Sequence, residues 1–141
     1  MASFVRVGAH SSTLLFVHLV WATRERHPLL EPSVDAWLAA LLEHKVLALD
    51  GELIAAGNAA DHVHVIASYP SRVTVANLAQ HLKGASSRAI ALELRWEFAW
   101  QAGYWAESVG HRELPSLVEY VRRQRVHHAR RAELEPWESS V

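Results

Sequence analysis

The segment Asp61–Tyr69 reads DHVHVIASY. In an extended chain successive side chains point to opposite faces. His62 and His64 therefore share one face of a strand, while Val63, Val65 and Ala67 line the other. Two imidazoles side by side on a rigid strand form half of a metal site. The same pattern also suits a buried strand with two structural histidines, and the pair alone leaves both readings open.

Outward from this strand, Glu52–Gly57 (ELIAAG) reads as a second strand, joined to the first through an Asn58–Ala60 turn. So short a link predicts an antiparallel hairpin. Thr13–Thr23 (TLLFVHLVWAT) is β-branched, aromatic and apolar, the pattern of a central strand buried on both faces. A charged turn, Arg24–Pro28, follows it. Between Ser33 and Leu49 the apolar residues Val34, Trp37, Leu38, Leu41, Leu42, Val46 and Leu49 recur at helical spacing, and Asp50-Gly51 ends the run.

Pro70 closes the histidine strand. Thr74 is a candidate N-cap for a helix whose stripe is Val75, Leu78, Ala79, Leu82, Ala85, Ala89 and Ile90. Phe98–Val109 (FAWQAGYWAESV) reads as a strand, and a connection containing Gly110 leads to a last helix from Pro115 to about Ala132. The order strand–helix–strand–strand–helix–strand–helix predicts an α+β fold: a ferredoxin-like split βαβ antiparallel sheet with an appended C-terminal helix. One domain is expected over residues 1–141, with 1–12 and 133–141 as flexible ends.

Composition removes several chemistries. There is no cysteine, which excludes disulfides, thiolate zinc sites and a cysteine nucleophile, and suits a cytoplasmic protein. The chain contains no apolar run of about 18 residues, so no membrane span is expected, and its first residues do not read as a signal peptide. A net charge of −1 gives no global attraction to polyanions. A local patch exists at Val121–Arg131 (VRRQRVHHARR), which holds five arginines and no acid. A run of this kind also serves as a plain solvated helix face.

Within the last helix, Tyr120 and Gln124 are four residues apart and share a face. They fall on the shoulder of the apolar stripe Leu114, Leu117, Val118 and Val121, with His127 and His128 following. A tyrosine at a helix–sheet boundary is also an ordinary amphipathic packing residue.

A strand with His-hydrophobe-His followed by a helix with Tyr-x-x-x-Gln resembles the single-tyrosine HUH transposases, which include small insertion-sequence transposases and REP-associated tyrosine transposases. The resemblance covers nearly the whole chain. HLVWATRERHPLL (His18–Leu30) is similar to the family's first strand and basic turn, and DHVHVIASYP to its two-histidine motif. LKGASSR (Leu82–Arg88), WQAGYWAESV (Trp100–Val109) and YVRRQRVHH (Tyr120–His128) resemble its second helix, last strand and nucleophile helix.

The resemblance implies an enzyme that cleaves and rejoins single-stranded DNA at hairpin-bearing ends. Tyr120 would attack a phosphodiester and form a 5′-phosphotyrosine. His62, His64 and Gln124 would hold a divalent ion, Mg²⁺ or Mn²⁺, a mixed nitrogen–oxygen set without thiolate. Asp61 would orient an imidazole, although an Asp here is equally a turn residue. Arg24, Arg26, Lys83, Arg88, Arg122, Arg123 and Arg125, with Arg130 and Arg131, are the expected phosphate contacts. A homodimer is implied, with the strand edge near Trp100–Val109 as a contact; in the insertion-sequence branch the tyrosine helix acts in trans, and for this chain both cis and trans arrangements stay open. The chain departs from the family pattern at Ala59-Ala60, where a Pro-containing turn is expected, and in its modest basic charge.

Three other readings compete. A domesticated relative would process palindromic repeats by the same chemistry. A non-catalytic ferredoxin-like DNA-binding module would bind neither metal nor DNA covalently. A histidine-based RNA phosphodiesterase would want two separated His-x-Thr/Ser motifs, and this chain has one His-x-His.

Overall fold

The computed structural model describes residues 4–94 and 97–126. A small hairpin, β1 (Arg6–Val7) with β2 (Ser12–Thr13), precedes the main elements. These are β3 (Phe16–Ala22), α1 (Asp35–Ala48), β4 (Glu52–Asn58), β5 (His62–Ser68), α2 (Val75–Glu93), β6 (Trp105–Ser108) and α3 (Leu114–Arg122). The main sheet has the order β4-β5-β3-β6, and every neighbouring pair is antiparallel. This is the expected ferredoxin-like arrangement.

Alternation sorts the residues of β3 and β5 onto two faces. Val17, Leu19 and Trp21 of β3 pair with Ala67, Val65 and Val63 of β5. They form the main core with Leu38, Leu42 and Val46 of α1 and Leu78, Ala79, Leu82 and Ile90 of α2. Each large apolar side chain so enclosed is worth roughly 1.5–3 kcal/mol relative to exposure. Thr74 caps α2 as expected, accepting the Asn77 N–H at 3.1 Å.

The other face carries α3. A register shift between Leu53 and Ala55 turns Ile54 and Ala55 of β4 toward it. They pack there with Ile66, Leu117, Val118 and Val121. Gly57 lets the helix backbone settle directly on the strand, because a Cβ at that position would lie 1.9 Å from the Val121 carbonyl oxygen.

Three boundaries differ from the sequence expectation. Residues 6–13, expected to be loose or the start of the central strand, form the small hairpin, closed by Gly8 N–H donating to the Ser11 carbonyl at 2.7 Å. The strand expected over Phe98–Val109 is reduced to a bridge between Trp100 and Thr23 and the four residues of β6. The interruption has a cause: Gly103 takes φ +87°, which an extended run cannot accommodate. The Lys83 ammonium holds the detour by donating to the Gln101 and Gly103 carbonyls, at 2.9 and 2.6 Å. Finally, the last helix is interrupted at Arg123 (φ −107°, ψ 28°), between α3 and the helical residues 124–126. The tail of the expected helix and the expected flexible end at 133–141 lie outside the described residues, as do His127, His128, Arg130 and Arg131. No helix among the described residues is long and apolar enough to cross a membrane.

Candidate active site

The alternation that buries Val63 and Val65 under α1 and α2 turns His62 and His64 toward α3. Both rings are fully enclosed, with centroids 5.0 Å apart. Enclosure of two imidazoles demands partners for their nitrogens, since an unsatisfied buried polar group costs about 1–3 kcal/mol.

His62 is held from both ends. Its Nδ1 is 2.8 Å from Asp61 Oδ1, and a carboxylate can only accept, so Nδ1 carries a proton. The second Asp61 oxygen accepts from Arg26 Nε at 3.0 Å. Burial would raise the Asp61 carboxyl, but the hydrogen bonds from His62 and Arg26, with the guanidinium's positive charge, outweigh it and hold the group at about 2. Arg26 reaches this position from a tight turn in which Glu25 and Arg26 both take left-handed φ, 55° and 57°. Such conformations cost non-glycine residues of order 1 kcal/mol each. The Thr23 hydroxyl ties the turn to the His27 and Asp61 carbonyls, at 2.7 and 3.2 Å.

At the other end of the ring, His62 Nε2 lies 3.1 Å from Gln124 Oε1. The Gln124 amide is fixed in this sense because its NH₂ donates to the Tyr120 carbonyl at 3.0 Å. That carbonyl also accepts the Arg123 N–H at 3.3 Å, the backbone signature of the helix end. Just past this break the Gln124 side chain spans from the Tyr120 carbonyl to His62. A neutral His62 with its proton on Nδ1 presents a lone pair at Nε2, and Gln124 Oε1 presents another. Two lone pairs 3.1 Å apart require a proton or a cation between them. A second ring proton fills that place as well as a cation does; with the neighbouring His64, the nitrogen and oxygen donors of His62 and Gln124 are of the kinds that bind a divalent ion. Among the described residues no three His, Cys, Asp or Glu side chains form a ready-made metal cage; the third donor here is an amide.

Tyr120 is in the same chain as these donors. Its ring stands edge-on to His64 at 5.5 Å between centroids and to His18 at 6.4 Å. The Tyr120 ring of the C-terminal helix therefore packs beside an imidazole of β5 and one of β3.

The segment after Tyr120 is latched to α1. Arg125 donates through Nε to Asp35 Oδ2 at 2.7 Å, and through one terminal nitrogen to Asp35 Oδ1 and the Leu30 carbonyl, both at 2.8 Å. Asn58 Nδ2 donates to the same carboxylate at 2.9 Å. A cleft of about 190 Å³ beside this latch is lined by Arg122, Arg123, Asp35 and Asn58 among others.

The expected phosphate contacts separate into two groups. Arg24, Arg88, Arg122 and Arg123 are exposed. Arg26, Lys83 and Arg125 are half-buried and hold, respectively, Asp61, the loop before β6 and the latch to α1. The LKGASSR segment also has a structural task, since Ser86 Oγ accepts the Trp100 indole N–H at 3.0 Å. Sequence reasoning missed His18, buried beside His64 with its Nε2 2.8 Å from His64 Nδ1. Burial lowers its pKa to about 4.

The family described as "Transposase IS200 like" matches residues 11–124 of the chain. No match is found among curated proteins. Among solved structures, the chain is similar to a protein of Deinococcus radiodurans described as a candidate transposase, at 24% identity and TM-score 0.67, over 85% of this chain and 98% of that one. It is also similar to a REP-associated tyrosine transposase bound to a REP hairpin, at 17% identity and TM-score 0.58, over 81% of this chain and 68% of that one. At these identities the two structures speak to the fold.

Proposed function

The chain belongs to the IS200-like transposase family, and from that premise we propose that it cleaves and rejoins single-stranded DNA at hairpin-bearing ends through a 5′-phosphotyrosine on Tyr120. The observation that carries this reading is the meeting, in one subunit, of the Tyr120 ring with His64 and of His62 Nε2 with Gln124 Oε1.

In the proposed step the Tyr120 oxygen attacks the scissile phosphorus. The new bond joins phosphorus to the phenol oxygen, and the bond to the 3′ oxygen breaks. The phenol gives up its proton and the departing 3′ oxygen gains one. One phosphoester replaces another, so attack by a 3′-OH on the phosphotyrosine reverses the step without a nucleotide cofactor. A phenol with an ordinary pKa near 10 is a weak nucleophile at neutral pH. Mg²⁺ or Mn²⁺ held by His62, His64 and Gln124 would supply Lewis-acid polarisation of the phosphate. Asp61 orients His62 for that task.

Arg24, Arg88, Arg122 and Arg123 are the groups we assign to phosphate contact, which positions a strand without reading its sequence. Arg26, Lys83 and Arg125 we assign to holding the site together. The tyrosine acts in its own subunit on this reading. Homodimers would form through the exposed edge of β6, whose backbone groups are available for strand pairing.

The experiment is incubation with single-stranded hairpin oligonucleotides and Mn²⁺ or Mg²⁺, followed by a denaturing gel. The native protein yields a covalent protein–DNA band, and Tyr120→Phe yields none. A band with Tyr120→Phe would reassign the nucleophile, and normal cleavage by His62→Ala would remove the metal site from the reading. Absence of any adduct would leave a non-catalytic DNA-binding module.

A further inference from the structure

His18 belongs to β3 and is opposite Ile66 in the ladder with β5, so its side chain emerges on the α3 face, diagonal to His64. The two rings stack at 5.1 Å between centroids and 24° between planes. Trp105 of β6 stands edge-on to His18 at 5.2 Å. Both histidines are buried, and their contact is direct: His18 Nε2 to His64 Nδ1, 2.8 Å.

Two ring nitrogens at that distance share one proton. Two neutral histidines can arrange this in two ways, which are opposite in consequence. If His18 donates, a neutral His64 carries its own proton on Nε2 and has no lone pair there to offer. If His64 donates from Nδ1, its lone pair is on Nε2, and His18 keeps its proton on Nδ1. Only the second arrangement lets His64 act as a ligand through Nε2.

We propose that His18 is a positioning residue whose Nε2 accepts the Nδ1 proton of His64 and thereby holds His64 in its metal-binding tautomer. The proposal rests on the metal-dependent reading given above. It makes the site two parallel devices: Asp61 orients His62 through Nδ1, and His18 orients His64 through Nδ1. The devices differ in kind. A carboxylate acceptor raises the basicity of its imidazole more than a neutral ring does, so the two ligands are unequal donors. Stacking on His64 and the edge contact from Trp105 also restrict the His18 ring plane, which a hydrogen bond alone leaves free to swing.

The test has two arms. In metal-free, ¹⁵N-labelled wild-type protein, ring ¹H–¹⁵N correlation spectra should find both His64 and His18 protonated on Nδ1. A His64 protonated on Nε2 overturns the proposal whatever any variant does. In the second arm, Mn²⁺ binding is measured by electron paramagnetic resonance for wild type, His18→Leu and His18→Gln. His18→Leu, which removes the acceptor, should weaken binding about 10- to 100-fold, the range for lost partners of metal ligands. His18→Gln, whose amide can accept at a similar reach, should recover most of that loss. Wild-type affinity in His18→Leu, or no recovery in His18→Gln, overturns the proposal. Failure of the wild type to bind Mn²⁺ sinks the metal-dependent reading instead, and the ring-proton assignment then decides the case of His18 by itself.

Discussion

Gly57 of β4 and Val121 of α3 approach so closely that a single added methyl group would sit 1.9 Å from the Val121 carbonyl oxygen. The neighbour is backbone, so no side chain can rotate away to relieve it. Gly57→Ala should therefore lift α3 from the sheet and carry Tyr120 and Gln124 away from the histidines. Overpacking of this kind costs roughly 1–3 kcal/mol. We expect a lowered melting temperature, retained sheet signals in amide spectra, and adduct formation reduced far more than stability. Unchanged adduct yield would mean that the seating of α3 does not matter.

Removing the latch should act on the same segment from its other end. Arg125→Ala breaks hydrogen bonds to Asp35 and to the Leu30 carbonyl. The pair is partly exposed, so a loss of about 1–2 kcal/mol is expected. Amide exchange in residues 118–126 should accelerate while exchange in β3 and β5 stays slow. If Arg125 served mainly as a phosphate contact, its loss would instead lower DNA affinity and leave exchange unaltered.

Gln124→Ala removes an oxygen donor and should weaken Mn²⁺ binding by at least about tenfold, or 1.4 kcal/mol. Titration calorimetry at fixed pH measures it. Gln124→Glu, which substitutes a charged oxygen beside His62, should bind Mn²⁺ more tightly than Gln124→Ala. Equal affinities in all three proteins would place the ion elsewhere.

Acidification should destabilise the fold in two stages with assignable causes. Burial disfavours the charged form of His18 and pushes its pKa from the ordinary 6.5 down to about 4 in the folded protein. The unfolded chain then binds more protons between these values, so stability is full above pH 6.5 and falls as pH drops toward 4. The contribution is about 3 kcal/mol, and chemical denaturation of wild type against His18→Phe from pH 7 to 4 should isolate it. Asp61 adds a second stage. Its carboxylate is stabilising above 3.8, and that contribution is lost as pH falls from 3.8 to about 2.

Much of the site was legible because it follows local periodicity. The alternation of DHVHV gave the shared face of His62 and His64, and a four-residue interval brought Tyr120 and Gln124 together. The last helix is interrupted between them at Arg123, which no spacing rule specifies. His18 was invisible for a different reason. It sits in an apolar run buried on both faces, and its partner 46 positions away is chosen by strand register. The Arg125–Asp35 latch spans 90 positions and looked like part of a basic patch. The shortening of β6 was within reach, since Gly103 lies inside the expected strand.

The groups of the site come from structures of unequal permanence. His18, His62 and His64 are built into the two central strands, which cannot shift without loss of the whole core. Tyr120 and Gln124 ride on a nine-residue helix and its end, secured by a few apolar side chains, a glycine seat and one guanidinium. On gradual warming, strand-joining competence should accordingly vanish several degrees before the sheet melts, and return on cooling without any need to refold.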